Sequence, residues 1–245
     1  MQGSKPTDNL VSLSGAPIHR HGEAAPWQEV QGEMCLEQIS AHITEHLGPI
    51  SVVFHELASD TVHIDIHVVP ATPDHPFTRL VTSGMSDLPM TVPEGSSQPR
   101  HLELMLSLPA DWPLDQESFK DERHYWPVRL LKTLARLPHK HATWLGYGHT
   151  LGNDDPARPY ADDVAFDGAI VLPPLSTDEG FWQLPIDADK TILFMAVVPL
   201  YPEEMALKLR EGSDALVDRF DRKGIGDVID PRRANVARKK RFGLF

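Results

Sequence analysis

Residues 61–68 read Thr-Val-His-Ile-Asp-Ile-His-Val, an unbroken alternation of polar and apolar side chains. A period of two fits a strand and no helix, because successive strand side chains point to opposite faces. Val62, Ile64, Ile66 and Val68 must therefore be covered together, and His63, Asp65 and His67 share the other face. Residues 50–57 also have strand composition, and Ala58-Ser59-Asp60 separates the two runs, so a hairpin is predicted. If Leu57 pairs with Thr61, His55 stands across from His63. An early hairpin commits the chain to antiparallel pairing.

Further strands are expected over residues 77–82, 101–108, 168–172 and 190–199, with a proline-rich loop over 90–99. A helix is predicted over 29–47, where Leu36, Ile39, Ile43 and Leu47 form a stripe and Gly48 ends it. Cys35 beside that stripe reads as a packed thiol. A second helix is expected to start at Trp126-Pro127, with proline in its first turn and Pro138 as its stop. Val128, Leu130, Leu131, Leu134 and Leu137 form its apolar side. The last is expected over 202–220. Hairpins dominate early and helices are interspersed, which argues α+β: a mixed, largely antiparallel sheet packed with a few helices.

The chain's 245 residues can bury a sizeable core. A polar, aperiodic stretch over 1–26 is expected to be a mobile tail, residues 27–225 the domain, and 226–245 a basic tail. One cysteine allows no intrachain disulfide, which suits a reducing compartment such as the cytoplasm. The start has neither leader character nor a membrane-spanning run. Net charge is −12. Six Lys/Arg against Asp227 and Asp230 over residues 225–245 give +4 there and −16 over the rest. This argues against nucleic acid, which needs a basic face, and suits a basic partner.

HExxH, GxSxG and GxxxxGK[ST] are absent. Residues 146–152 read GxGxxxG, one residue too long for a dinucleotide loop and without a preceding apolar strand. His63, Asp65 and His67 are ligand types, but three ligands on one strand, about 6.5–7 Å apart, rarely share an ion. A solvated or partner-facing strand is the reading carried forward, with no cofactor and no metal expected. A metal-dependent hydrolase using those three residues is the alternative. His139 and His141 suit a helix C-terminus. Trp144, Tyr147, His149 and Thr150 in a glycine-flanked loop resemble a recognition surface.

Several blocks, in this order, resemble the suppressor of fused family: Leu80-Val-Thr-Ser-Gly-Met-Ser-Asp87; Leu102-Glu-Leu-Met-Leu-Ser-Leu-Pro109 with Trp112; Trp126-Pro-Val-Arg-Leu-Leu-Lys-Thr-Leu-Ala135; Trp144-Leu-Gly-Tyr-Gly-His-Thr150; and Val198-Pro-Leu-Tyr201 with Glu203 and Glu204. The length is similar to the compact bacterial form, without the second domain of the animal protein. The resemblance implies a non-enzymatic protein-binding module. The animal relative sequesters Gli transcription factors by strand addition in a cleft between two domains, and bacterial members are thought to be immunity proteins that block a cognate toxin. Within these blocks Gly84 and Gly148 suit unusual backbone geometry, and Glu103 is expected to alternate outward on its strand. Toxin neutralisation is the leading expectation, and a general peptide-binding adaptor is a further alternative. The expected partner surface comprises Ser83, Gly84, Ser86, Asp87, Tyr147 and His149. Oligomeric state is left open.

Overall fold

The computed structural model describes residues 10–19, 34–55 and 62–238. In chain order the strands are β1 (Leu10–Val11), β2 (Pro17–Ile18), β3 (Val52–Phe54), β4 (Asp65–Val69), β5 (Phe77–Ser83), β6 (His101–Pro109), β7 (Thr150–Gly152), β8 (Gly168–Leu172), β9 (Gln183–Pro185) and β10 (Thr191–Leu200). The helices are α1 (Leu36–Leu47), α2 (Glu122–Lys140), α3 (Pro202–Glu211) and α4 (Ser213–Asp221). The main sheet runs β3-β4-β5-β6-β10-β8-β7, with β9 on β10. Every pair in it is antiparallel except β6 with β10. Parallel neighbours cannot be joined by a tight turn, and α2, β7 and β8 lie in the crossover between them. This is the α+β, largely antiparallel architecture expected from the alternation pattern.

Both faces of the sheet are covered. Ile64, Ile66, Leu80, Leu104 and Leu106 pack with Trp126, Leu130, Leu131 and Leu134 of α2. On the other face Val69, Val81, Met105, Ile192 and Phe194 meet Ile39, Ile43 and Leu47 of α1. The far end of the sheet, through Ile170, Val198 and Leu200, packs on Leu207 of α3 and on Leu216 and Phe220 of α4. Each fully buried aliphatic side chain of this kind contributes roughly 1.5–3 kcal/mol relative to exposure.

Several expectations about helix ends are corrected. The described part of the first helix begins at Leu36, which is 41% exposed rather than part of the stripe. Residues 29–33 lie outside the described residues. Gly48, at φ 112°, ends the helix as expected, and Cys35 is buried in the α1 core. The second helix begins four residues earlier than expected, capped by Asp121, whose carboxylate accepts the Arg123 N–H at 3.0 Å. Pro127 and Pro138 both lie inside it. Each removes a helical hydrogen bond, but burial of the Trp126–Pro138 face outweighs that cost. The last helix breaks at Gly212, whose φ of 94° does not suit other residues.

The expected tails are packed over their described parts. Residues 10–19 form a hairpin, β1 on β2, and the Ser14 N–H donates to Leu209 O of α3 at 3.1 Å. At the other end the Ile229 N–H donates to Ser107 O at 2.8 Å, and Asp227 and Ile229 are buried. Arg233 pairs with Glu204 of α3 at 2.6 Å, with 8% and 0% of the side chains exposed, and its guanidinium lies over the Phe166, Tyr201 and Phe220 rings. Among the described residues no helix is long and apolar enough to cross a membrane.

Candidate functional site

β3 and β4 pair, but in a register different from the expected one. Val53 faces His67 and Phe54 faces Ile66, so His55 meets Asp65, not His63. His55 Nδ1 lies 2.8 Å from Asp65 Oδ2. His63 is exposed, whereas His67 is 1% exposed and its Nε2 lies 2.9 Å from Ser83 Oγ. Burial lowers the His67 pKa and keeps the ring neutral. The polar face of the alternating strand is therefore not a wet face. Because α1 covers that side of the sheet, its three polar residues enter three different environments. Among the described residues no group of three or more His, Cys, Asp or Glu side chains is placed to hold a metal ion.

The Ser83–Asp87 segment forms a hub. Gly84 has φ 100°, and a Cβ there would sit 1.8 Å from His63 O, so this turn accepts only glycine. A 3-10 turn, Met85–Asp87, follows. Ser86 donates its N–H and its hydroxyl to Glu103 Oε1, at 2.9 and 2.7 Å. The Thr82 hydroxyl donates to Glu103 Oε2 at 2.6 Å and accepts the Leu104 N–H at 2.8 Å. His101 and His139 bond the Ser86 and Met85 carbonyls, at 3.0 and 2.8 Å. The His139 side chain thus reaches across the fold instead of capping its own helix. Burial holds both imidazoles below their usual pKa.

Glu103 is 0% exposed, against the expectation that it points outward. Burial pushes its pKa up to about 7, although the Ser86 and Thr82 donors oppose the shift. The sequence did carry a signal. Met105 between Leu104 and Leu106 marks a strand with apolar residues on both faces, so Glu103 had no wet face to reach. Asp87 is pushed up to about 6, first by burial and against the pull of Lys190 and the Cys35 N–H. Ser83 and Ser86 are 3% and 0% exposed, and Gly84 is buried. These three cannot touch a partner on the folded surface, and only Asp87 of this group reaches solvent in part. The hydrogen bonds of Ser83 and Ser86, with the close approach of Gly84 to the His63 carbonyl, hold β4, β5 and β6 together.

Tyr147 and His149 lie elsewhere, in the loop that leads from α2 into β7. Gly148, at φ 74°, turns it. Tyr147 is 51% exposed, and its hydroxyl donates to Asp214 Oδ1 at 3.4 Å. The His149 ring meets Trp144 edge-on at 5.5 Å and bonds the Trp144 carbonyl, and burial lowers its pKa. β7 ends the strand order, and the loop after it exposes Asp154, Asp155, Asp162 and Asp163. β6, β10 and β8 separate β5 from β7, about 19 Å at the usual strand spacing. The fold thus separates the two groups of expected partner residues.

The family described as suppressor of fused protein (SUFU) matches residues 60–234. No curated protein matches the chain. Among solved structures, a putative SUFU homolog from Neisseria gonorrhoeae is similar at TM-score 0.57 and 15% identity, covering 83% of this chain and 97% of its own. A chain of the Sufu–Fu complex is similar at TM-score 0.59 and 15% identity, covering 84% of this chain and 93% of its own. At that identity the structures speak for the fold, and the family rests on the sequence match across most of the chain. The protein belongs to the suppressor of fused family.

Proposed function

We propose that this protein is a non-enzymatic, cytoplasmic immunity-type module that neutralises a cognate basic toxin by covering it. The observation that carries this reading is the composition of the β7 end of the sheet. A terminal strand offers unpaired backbone groups for strand addition. Half-exposed Tyr147 stands beside it, and Asp154, Asp155, Asp162 and Asp163 provide negative charge within the same segment. Aromatic anchors with complementary charge are what such interfaces use. The buried Ser83, Gly84 and Ser86, and Asp87 beside them, lie three strands away and are left out of this surface.

The test is recovery of a partner by pull-down from the native cell, followed by binding measurements. Tyr147→Ala and the double variant Asp162→Lys/Asp163→Lys should each weaken binding by about tenfold or more, 1.4 kcal/mol or above, with unchanged thermal unfolding. Wild-type affinity in both would move the interface elsewhere. Equal binding to unrelated basic peptides would favour a general adaptor.

A further inference from the structure

We infer that the cavity between α3, the residue 143–151 loop and the N-terminal hairpin is a binding site for a small organic anion, a carboxylate carried on an apolar body. The cavity measures about 320 Å³, large enough for a small ligand. Leu137, Leu145 and Leu209 give it an apolar wall. Its polar groups are unusual in kind. Lys208 lines it at 7% exposure, and no carboxylate among the described residues lies within ion-pair distance of its ammonium. Burial of the side chain lowers the Lys208 pKa, and a partly desolvated cation favours an opposite charge beside it.

A second observation points the same way. Trp144 also lines the cavity, and its indole Nε1, closed to solvent behind the ring, has no hydrogen-bond partner. Such a group calls for an acceptor. The Lys208 charge reaches His149, a further lining side chain, and the His19 ring closes on Trp144 edge-on at 5.6 Å. Asp214, which accepts from Tyr147, is not part of the lining. The set is a cation, an unsatisfied N–H donor and imidazoles around an apolar body. That set discriminates for an acceptor-rich anion and against a cation. The inference rests on these groups alone and holds whether or not β7 receives a protein partner.

The probe is 1-naphthoate, titrated into the full chain by calorimetry and followed by the ¹⁵N-indole resonance of Trp144, assigned with Trp144→Phe. Saturable one-to-one binding with a shift of that resonance is the expected result. Neutral 1-naphthylmethanol and cationic 1-naphthylmethylammonium should bind at least about tenfold more weakly, since a charge-assisted hydrogen bond contributes more than a neutral one. Lys208→Met keeps the stem and should lose the anion preference, while Lys208→Arg retains it. Equal affinity for the alcohol, unchanged naphthoate binding in a folded Lys208→Met, or no shift of Trp144 up to the solubility limit would each overturn the assignment.

Discussion

At the residue scale Glu103 has the sharpest consequence. Its carboxyl, pushed up to about 7 from an ordinary 4.5 by burial, binds a proton more tightly folded than unfolded. The folded state therefore loses stability as pH rises from about 4.5 through 7, and regains it as pH falls. Asp87, pushed up to about 6, acts in the same direction at lower pH. The buried histidines, held low, act oppositely below about 6.5. A comparison of variants isolates Glu103. The stability of Glu103→Gln relative to wild type should rise between pH 5 and 8 by on the order of 2–3 kcal/mol, as the wild-type carboxylate ionises in a dry site. Urea unfolding at several pH values measures this. A pH-independent difference would mean that the Glu103 carboxyl binds its proton equally well folded and unfolded, and that burial does not raise its pKa.

At the element scale, the segment after α4 is held by few contacts of high value. Arg233 bridges Glu204, the Pro199 carbonyl and three aromatic rings, while Glu204 also accepts the Val236 and Tyr201 N–H groups. Removing one partner of a buried pair leaves the other uncompensated, typically at about 3–5 kcal/mol. Arg233→Ala should cost about that much, lowering the melting temperature by roughly 10 °C in a domain of this size. A loss below about 1 kcal/mol, measured by thermal unfolding, would return residues 226–238 to the status of a tail. The six basic residues near the C-terminus made this stretch read as a basic tail; nothing in the local pattern marked Arg233 as the one that turns inward.

At the scale of the whole molecule, the charge of −12 is a property of the surface field. Long-range attraction accelerates encounter with a cationic partner and is screened as salt rises. Association with the toxin proposed above should slow by about tenfold between 50 and 500 mM salt, with a much smaller change in dissociation. Stopped-flow association rates at a series of salt concentrations test this, and a salt-independent rate would remove charge steering from the account. The same scale explains why the β5 hub and the β7 loop, both in family-like blocks, lie in different surroundings. Three strands lie between them, and sequence proximity to a motif says nothing about depth in the fold.

Alternation in 61–68, the stripe Leu130, Leu131, Leu134 and Leu137, and the glycines at 48, 84 and 148 were enough by themselves to determine the class, most strands, the covering face of α2 and where the chain must turn. Those features are local: periodicity reports which side chains share a face, and backbone sterics report where only glycine fits. What covers the second face, which strand lies beside β6, the register of β3 on β4, and the docking of the residue 10–19 and 226–238 segments were decided only by tertiary structure. Each depends on a partner distant in sequence. For that reason His67 is buried although its strand pattern reads as polar. For the same reason Lys208, Trp144 and His149, far apart in the chain, meet around one cavity.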